Sequence, residues 1–237
     1  MLFYLRCFLA GLWGGVCCLF GILWALMRPL NPVSCRVPAN LLGLGILKIF
    51  GLKFEAEGRE HLDGPPRLAI SNHQSNLDIV PGGLMIPSRM VSIGKKSLLK
   101  LPFFGLYYWL SGNILIDRSN KRKAFASMDL AVQAIKNKNT SIWIMPEGTR
   151  SKGKGLLPFK KGAFHTAIKA GCPVVPVCIS SFHKNLDLNS WNSGTIKVKV
   201  LPPILTEGMT MEDVTELSNN AHALMSQCIE SLDQSLL

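Results

Sequence analysis

His73 and Asp78, five residues apart in the run Asn72-His73-Gln74-Ser75-Asn76-Leu77-Asp78, have the side-chain types of a general-base pair. In such a pair the carboxylate fixes the imidazole tautomer and stabilises the imidazolium, while the other ring nitrogen takes a proton from a hydroxyl; this supplies roughly 10²- to 10⁴-fold in rate. The spacing limits how the two can meet. On one continuous helix five residues turn through about 500°, which leaves the side chains about 140° apart. The apolar run Leu68-Ser71 reads as a strand, which puts His73 in a strand-to-helix turn. With Ser75 or Asn76 as the cap, Asp78 falls in the first turn and can face back to the imidazole. A histidine satisfied by turn hydrogen bonds has the same bare spacing, so the motif needs company.

Two loops with basic residues supply it. Ile114-Leu115-Ile116-Asp117-Arg118 places an arginine at the exit of an apolar strand, and Ile142-Trp143-Ile144-Met145 leads into Pro146-Glu147-Gly148-Thr149-Arg150-Ser151. Ligands gather at strand ends of α/β sheets. A guanidinium grips phosphate bidentately, Thr149 can donate its hydroxyl, and Gly148 lets backbone N–H groups approach closely. A solvated arginine and an ordinary glycine turn are the plain alternatives. Gly148 to Gly155 also comes within one residue of a nucleotide-binding P-loop, but Gly155 stands where the magnesium-binding Ser/Thr belongs, and Pro158 falls where the next helix should run. Phosphate affinity survives that mismatch and nucleotide hydrolysis does not. The five histidines lack metal-ligand spacing, so no metal is expected, and no G-x-S-x-G elbow offers a serine nucleophile.

The elements that must hold these residues follow from periodicity. Lys53-Glu57, Leu68-Ser71, Met90-Ile93, Ile114-Asp117, Ile142-Met145, Val174-Ile179 and Ile196-Leu201 read as strands. Asn76-Met85, Phe103-Leu110, Lys121-Lys136, Phe159-Ala170 and Met211-Leu232 read as helices, with Ser119/Asn120 and Thr210 as caps. This alternation predicts an α/β fold, a mixed β-sheet flanked by helices, over residues 53–237. Ahead of it, Cys7 to Met27 is an uncharged apolar run bounded by Arg6 and Arg28, long enough for a bilayer and too long for a signal peptide core. Val37 to Leu52 mixes apolar residues with Lys48 and three glycines, as an interfacial helix does. Residues 1–52 are therefore expected to form an N-terminal apolar helical hairpin that anchors the chain to a membrane.

Apolar residues make up 48% of the chain, which argues against disorder. Net charge is +11, and the window Lys95 to Lys161 holds 14 of the 26 Lys/Arg against only Asp117, Asp129 and Glu147. Such a window attracts phosphate-bearing partners: nucleic acid, an anionic lipid surface or a phosphorylated small molecule. The seven cysteines, odd in number and mostly within apolar runs, read as reduced, and favour a catalytic part facing the cytoplasm.

In combination these residues resemble the lysophosphatidic acid acyltransferase (1-acylglycerol-3-phosphate O-acyltransferase) family in its short bacterial form. Four blocks occur in order: Asn72-His73 with Asp78; Gly112 through Ile116-Asp117-Arg118; Pro146-Glu147-Gly148-Thr149-Arg150; and Pro173-Val174-Val175-Pro176-Val177. Gly94-Lys95-Lys96-Ser97-Leu98-Leu99 and Gly155-Leu156-Leu157-Pro158-Phe159-Lys160 extend the match. The resemblance implies a glycerolipid acyltransferase-like fold and transfer of an acyl group from a thioester to the sn-2 hydroxyl of 1-acylglycerol 3-phosphate, giving phosphatidic acid. His73 would be the base and Asp78 its partner. Arg118 would bind the acceptor phosphate, Glu147, Gly148, Thr149 and Arg150 would shape the acceptor pocket, and Lys95 would be a further phosphate contact. The co-substrate would be acyl carrier protein or coenzyme A thioester, with no other cofactor and no nucleic acid partner. The site of action would be the bacterial inner membrane with its phospholipid. A different lysophospholipid or glycerol 3-phosphate as acceptor would keep His73 and Asp78.

Overall fold

The computed structural model of the chain describes residues 1–117 and 121–236, and only the backbone of 121–125. Seven strands, β1 (Leu52–Glu57), β2 (Leu68–Ser71), β3 (Met90–Lys95), β4 (Ile114–Ile116), β5 (Ser141–Ile144), β6 (Val174–Ile179) and β7 (Gly194–Val200), form one sheet in the order β1-β7-β6-β2-β5-β3-β4. Every neighbouring pair is parallel except β6 and β7. Strands β2 to β6 therefore run the same way, and their C-terminal ends share one edge of the sheet. The expected strands lie within two residues of these bounds.

Helices α1 (Leu2–Leu26), α2 (Val33–Phe50), α3 (Ile79–Met85), α4 (Phe104–Leu110), α5 (Lys121–Lys138), α6 (Gly162–Ala170), α7 (Phe182–Asn185) and α8 (Val214–Gln234) complete the description. Strand periodicity sorts the two faces of the sheet. Ala69, Val175, Val177 and Ile179 pack with residues of α1, α2 and α3, whereas Leu68, Ile70, Val174 and Cys178 pack with α5, α6 and α8. All eight of those strand residues are fully buried, as expected of parallel strands covered on both sides, and each contributes about 1.5–3 kcal/mol when large and aliphatic. Pro176 is tolerated in this buried β6 because the chain after β7 swings away there: Leu201 N–H donates to Pro176 O, and pairing resumes where Val174 meets Ile204.

Two expected helix starts move inward. Thr210 caps the turn before α8 instead of the helix: Glu212 N–H donates to Thr210 Oγ1 (3.3 Å) and Thr210 N–H to Asp213 Oδ2 (2.6 Å). Residues 159–161 stay out of α6 because Lys160 N–H is bonded to Pro146 O (2.9 Å), which ties them to the loop after β5. The expected caps Ser119/Asn120 lie outside the described residues.

By length and composition α1 and α2 could each cross a membrane. Their hairpin is also part of the core, because Cys17, Cys35, Leu42, Ile46 and Phe50 pack with Trp143, Val175 and Ile179. The other side of α1 exposes Tyr4, Phe8, Leu12, Leu19 and Leu23, next to exposed Phe103, Leu106 and Trp109 at α4. An apolar face of this extent marks a membrane or partner surface. Arg6 is the exception on α1: it is 4% exposed, and its guanidinium donates to Leu188 O (3.1 Å), Ser190 O (2.5 Å), Ser193 Oγ (3.0 Å) and Trp191 O (3.3 Å). Gly51, left-handed at the end of α2, is required there, since a Cβ would stand 2.1 Å from Trp191 O. None of the seven cysteines is in a disulfide.

Candidate active site

The shared C-terminal edge of β2 to β6 collects the chemistry. Leaving β2, the chain turns through His73 and Gln74 to Ser75, whose hydroxyl accepts Leu77 N–H (3.0 Å) and caps a short 3₁₀ turn, Asn76–Asp78, that runs into α3. This cap swings the Asp78 carboxylate back over the turn. Asp78 Oδ2 lies 2.6 Å from His73 Nδ1 and accepts the backbone N–H groups of Gln74 (2.8 Å) and Ser75 (2.9 Å). An oxygen that accepts two N–H groups acts as an acceptor toward the ring as well, so Nδ1 is the donor in this contact and Nε2 is the ring nitrogen left for other partners. Asp78 is 3% exposed and the His73 side chain 20%, so the carboxylate is shielded while the imidazole reaches the surface. Asp78 Oδ1 is buried and has no partner among the described residues.

The loop after β5 holds the same turn from one side. Glu147 Oε1 accepts His73 N–H (2.5 Å), Glu147 Oε2 accepts Leu157 N–H (3.1 Å), and Ser151 N–H donates to His73 O (2.8 Å). Glu147, expected to help shape the acceptor pocket, is 2% exposed, and both its oxygens meet backbone N–H groups. It is a brace between two loops. Burial pushes its carboxyl up to about 6, against the bonds from His73 and Leu157 that favour the anion.

Exposed polar and basic residues share this edge of the sheet. Thr149 and Arg150 are exposed beside the His73 turn, and Lys95 is exposed at the end of β3; the side chains of the three have no hydrogen bond or ion pair among the described residues. Gly148 has φ +68, and a Cβ there would stand 2.8 Å from Lys160 Nζ, so the glycine lets a lysine lie over the loop. Arg118, two residues beyond β4 in the sequence, lies outside the described residues. Asp78 leads directly into Ile79, which lines an apolar groove of about 570 Å³ together with Leu12, Leu19 and Ile46 of the hairpin and Phe103.

Spacing alone missed Asn72 and Gln74, whose side chains engage the end of β6, and Lys160. Alternation along an extended segment is the available signal, since it puts residues 72 and 74 on the side opposite His73.

Comparison with known proteins follows this geometry. The acyltransferase family profile matches residues 53–180. The chain is 41% identical over 237 residues to the 1-acyl-sn-glycerol-3-phosphate acyltransferase of Haemophilus influenzae, covering 100% of this chain and 98% of that one. Against the enzyme of the same name from Escherichia coli it is 40% identical over 237 residues, covering 99% and 96%. The human 1-acyl-sn-glycerol-3-phosphate acyltransferase alpha is 37% identical over 191 residues, covering 79% of this chain and 68% of its own. Among solved structures, the 1-acyl-sn-glycerophosphate acyltransferase of Thermotoga maritima superposes with a TM-score of 0.77 at 24% identity, covering 98% and 94%, and shares the fold.

Proposed function

The chain belongs to the acyltransferase family of the 1-acyl-sn-glycerol-3-phosphate acyltransferases, and from that premise we propose that it moves a fatty acyl group from a thioester, on acyl carrier protein or coenzyme A, to the sn-2 hydroxyl of 1-acylglycerol 3-phosphate. The product is phosphatidic acid. The observation that carries this reading is the bond between His73 Nδ1 and Asp78 Oδ2 on the sheet edge that also carries exposed Lys95, Thr149 and Arg150.

His73 Nε2 takes the proton of the acceptor hydroxyl as its oxygen attacks the thioester carbonyl, and Asp78 stabilises the imidazolium that forms. The tetrahedral oxyanion collapses, the carbon–sulfur bond breaks, and the imidazolium returns its proton to the leaving thiolate. Arg118, Arg150, Thr149 and Lys95 hold the acceptor phosphate, which adds Lys160 as a further contact. Glu147 keeps the two loops in register. The groove beside Ile79 takes the acyl chain, and its volume falls within the ~300–1,000 Å³ of small-molecule sites.

The hairpin of residues 1–52 anchors the domain of residues 53–237 to the inner membrane with the site on the cytoplasmic side. It enters one leaflet, a reading supported by the attachment of both ends of α1 to the same domain: Arg6 to the 188–193 loop, and Leu30 N–H to Leu110 O (2.7 Å). A span would need its ends on opposite sides of a hydrocarbon core about 30 Å thick. An activity matrix of acyl-carrier-protein and coenzyme A thioesters against 1-acylglycerol 3-phosphate, glycerol 3-phosphate and other lysophospholipids tests the function. The highest kcat/KM is expected with 1-acylglycerol 3-phosphate; turnover confined to another acceptor overturns the assignment.

A further inference from the structure

Backbone pairing between β2 and β6 ends at Ser71 opposite Val177, yet the two chains stay fastened beyond that point by side chains alone. Asn72 exchanges two bonds with one residue of β6: its Nδ2 donates to Ile179 O (2.9 Å), and its Oδ1 accepts Ile179 N–H (2.9 Å). Gln74 bonds the segment that follows β6, at two residues. Its Nε2 donates to Ser180 O (2.9 Å) and its Oε1 accepts Phe182 N–H (2.8 Å). Between them His73 has no hydrogen bond to β6 among the described residues, and its own backbone groups go to Glu147 and Ser151 on the β5 side. The imidazole therefore stands on a turn held from β5 by its backbone and from β6 by the amide side chains on either side of it.

The β6 side has its own support. Asp233, 6% exposed near the end of α8, accepts Ser181 N–H (2.7 Å), Ser181 Oγ–H (2.6 Å) and Asn185 Nδ2–H (3.0 Å). These bonds fix the loop that receives Gln74.

We propose that Gln74 is a positioning residue for proton transfer at His73, acting through this amide clamp, and that Asp233 braces the clamp from the far side. The proposal rests on the reading of His73 as the base. Gln74 touches no reacting atom; it sets where Nε2 points, and a displacement of about 1 Å at a reacting group can cost about 10²-fold. Loss of the clamp therefore lowers kcat and leaves the binding of both substrates largely alone.

Gln74→Met keeps the length and bulk of the side chain and removes both hydrogen bonds, so it separates bonding from space-filling. With whichever acceptor the wild type uses in the activity matrix, Gln74→Met is expected to lower kcat roughly 10- to 100-fold with both KM values within about threefold. Asp233→Asn is expected to lower kcat by a few fold, and the double variant to be no slower than Gln74→Met, since both changes loosen one loop. Hydrogen exchange at the Phe182 amide, expected to quicken in Gln74→Met, reads the clamp without any acceptor, so a wrong acceptor assignment and a wrong clamp give different results. A kcat within twofold of wild type, losses that multiply in the double variant, or unchanged Phe182 exchange each overturns the proposal.

Discussion

The His73 turn and the cationic rim share one edge of the sheet and are built in opposite ways. In the turn, the backbone N–H groups of residues 73 to 75 all meet carboxylate oxygens, and both amide side chains are engaged. On the rim, Lys95, Thr149 and Arg150 are exposed, and their side chains have no hydrogen bond or ion pair among the described residues. A base has to be aimed before the substrate arrives, whereas a phosphate brings the negative charge that organises cations around it. Order is concentrated where misplacement costs rate, and open charge where the ligand completes the structure.

If that contrast is right, substitutions in the turn strike kcat and substitutions on the rim strike acceptor affinity. The largest effect is expected from His73→Ala: kcat should fall about 10²- to 10⁴-fold, measured by acyl transfer in detergent, with little change in thermal unfolding. A rate within a few fold of wild type would remove His73 from the mechanism. Asp78→Asn retains an oxygen for the turn's N–H groups and removes the charge, so a kcat loss of roughly 10²-fold or more is expected, again without a matching loss in acceptor KM. On the rim, Arg150→Ala should raise the acceptor KM about tenfold and leave kcat within a few fold, with unfolding unchanged because the side chain is exposed. A fall in kcat at unchanged KM would erase the distinction between the two regions.

Glu147 sharpens the comparison through pH. Its carboxyl is raised in the fold to about 6, from an ordinary 4.5, so the folded state holds that proton more tightly than the unfolded chain does. The stability this contributes is complete below about 4.5 and is lost as pH rises through about 6. Glu147→Gln cannot titrate, so the difference between variant and wild-type unfolding temperatures should shift in favour of the variant as pH is raised across that window. Parallel curves would contradict a buried Glu147. The smallest expected effect is in the N-terminal hairpin: Arg6→Leu leaves the carbonyls of residues 188, 190 and 191 without their donor, costing about 1–3 kcal/mol in stability, and kcat per folded molecule should hold.

Much of the fold could be read from the sequence, because each strand is a short apolar run bounded by turn residues and each longer helix has its own period. The meeting of His73 and Asp78 was legible for a sharper reason: a helical path excluded contact, and a cap at Ser75 or Asn76 offered a local geometry that restores it. Glu147 was not legible, since a carboxylate inside a loop expected to bind phosphate says nothing of which backbone groups will cover it. Nor were the partners of Asn72 and Gln74, more than a hundred residues away on β6, or the depth to which α2 enters the core. Lys160 was visible only as a surface charge until Gly148 proved to be the residue it lies against.

The central claim is that His73 and Asp78 act as one device. Its most direct test is the kcat of the double variant His73→Ala with Asp78→Asn beside the two single variants. A single device predicts that the double variant is no slower than His73→Ala, because Asp78 has nothing left to orient. Losses that multiply would mean the two residues work separately, and the account would fail.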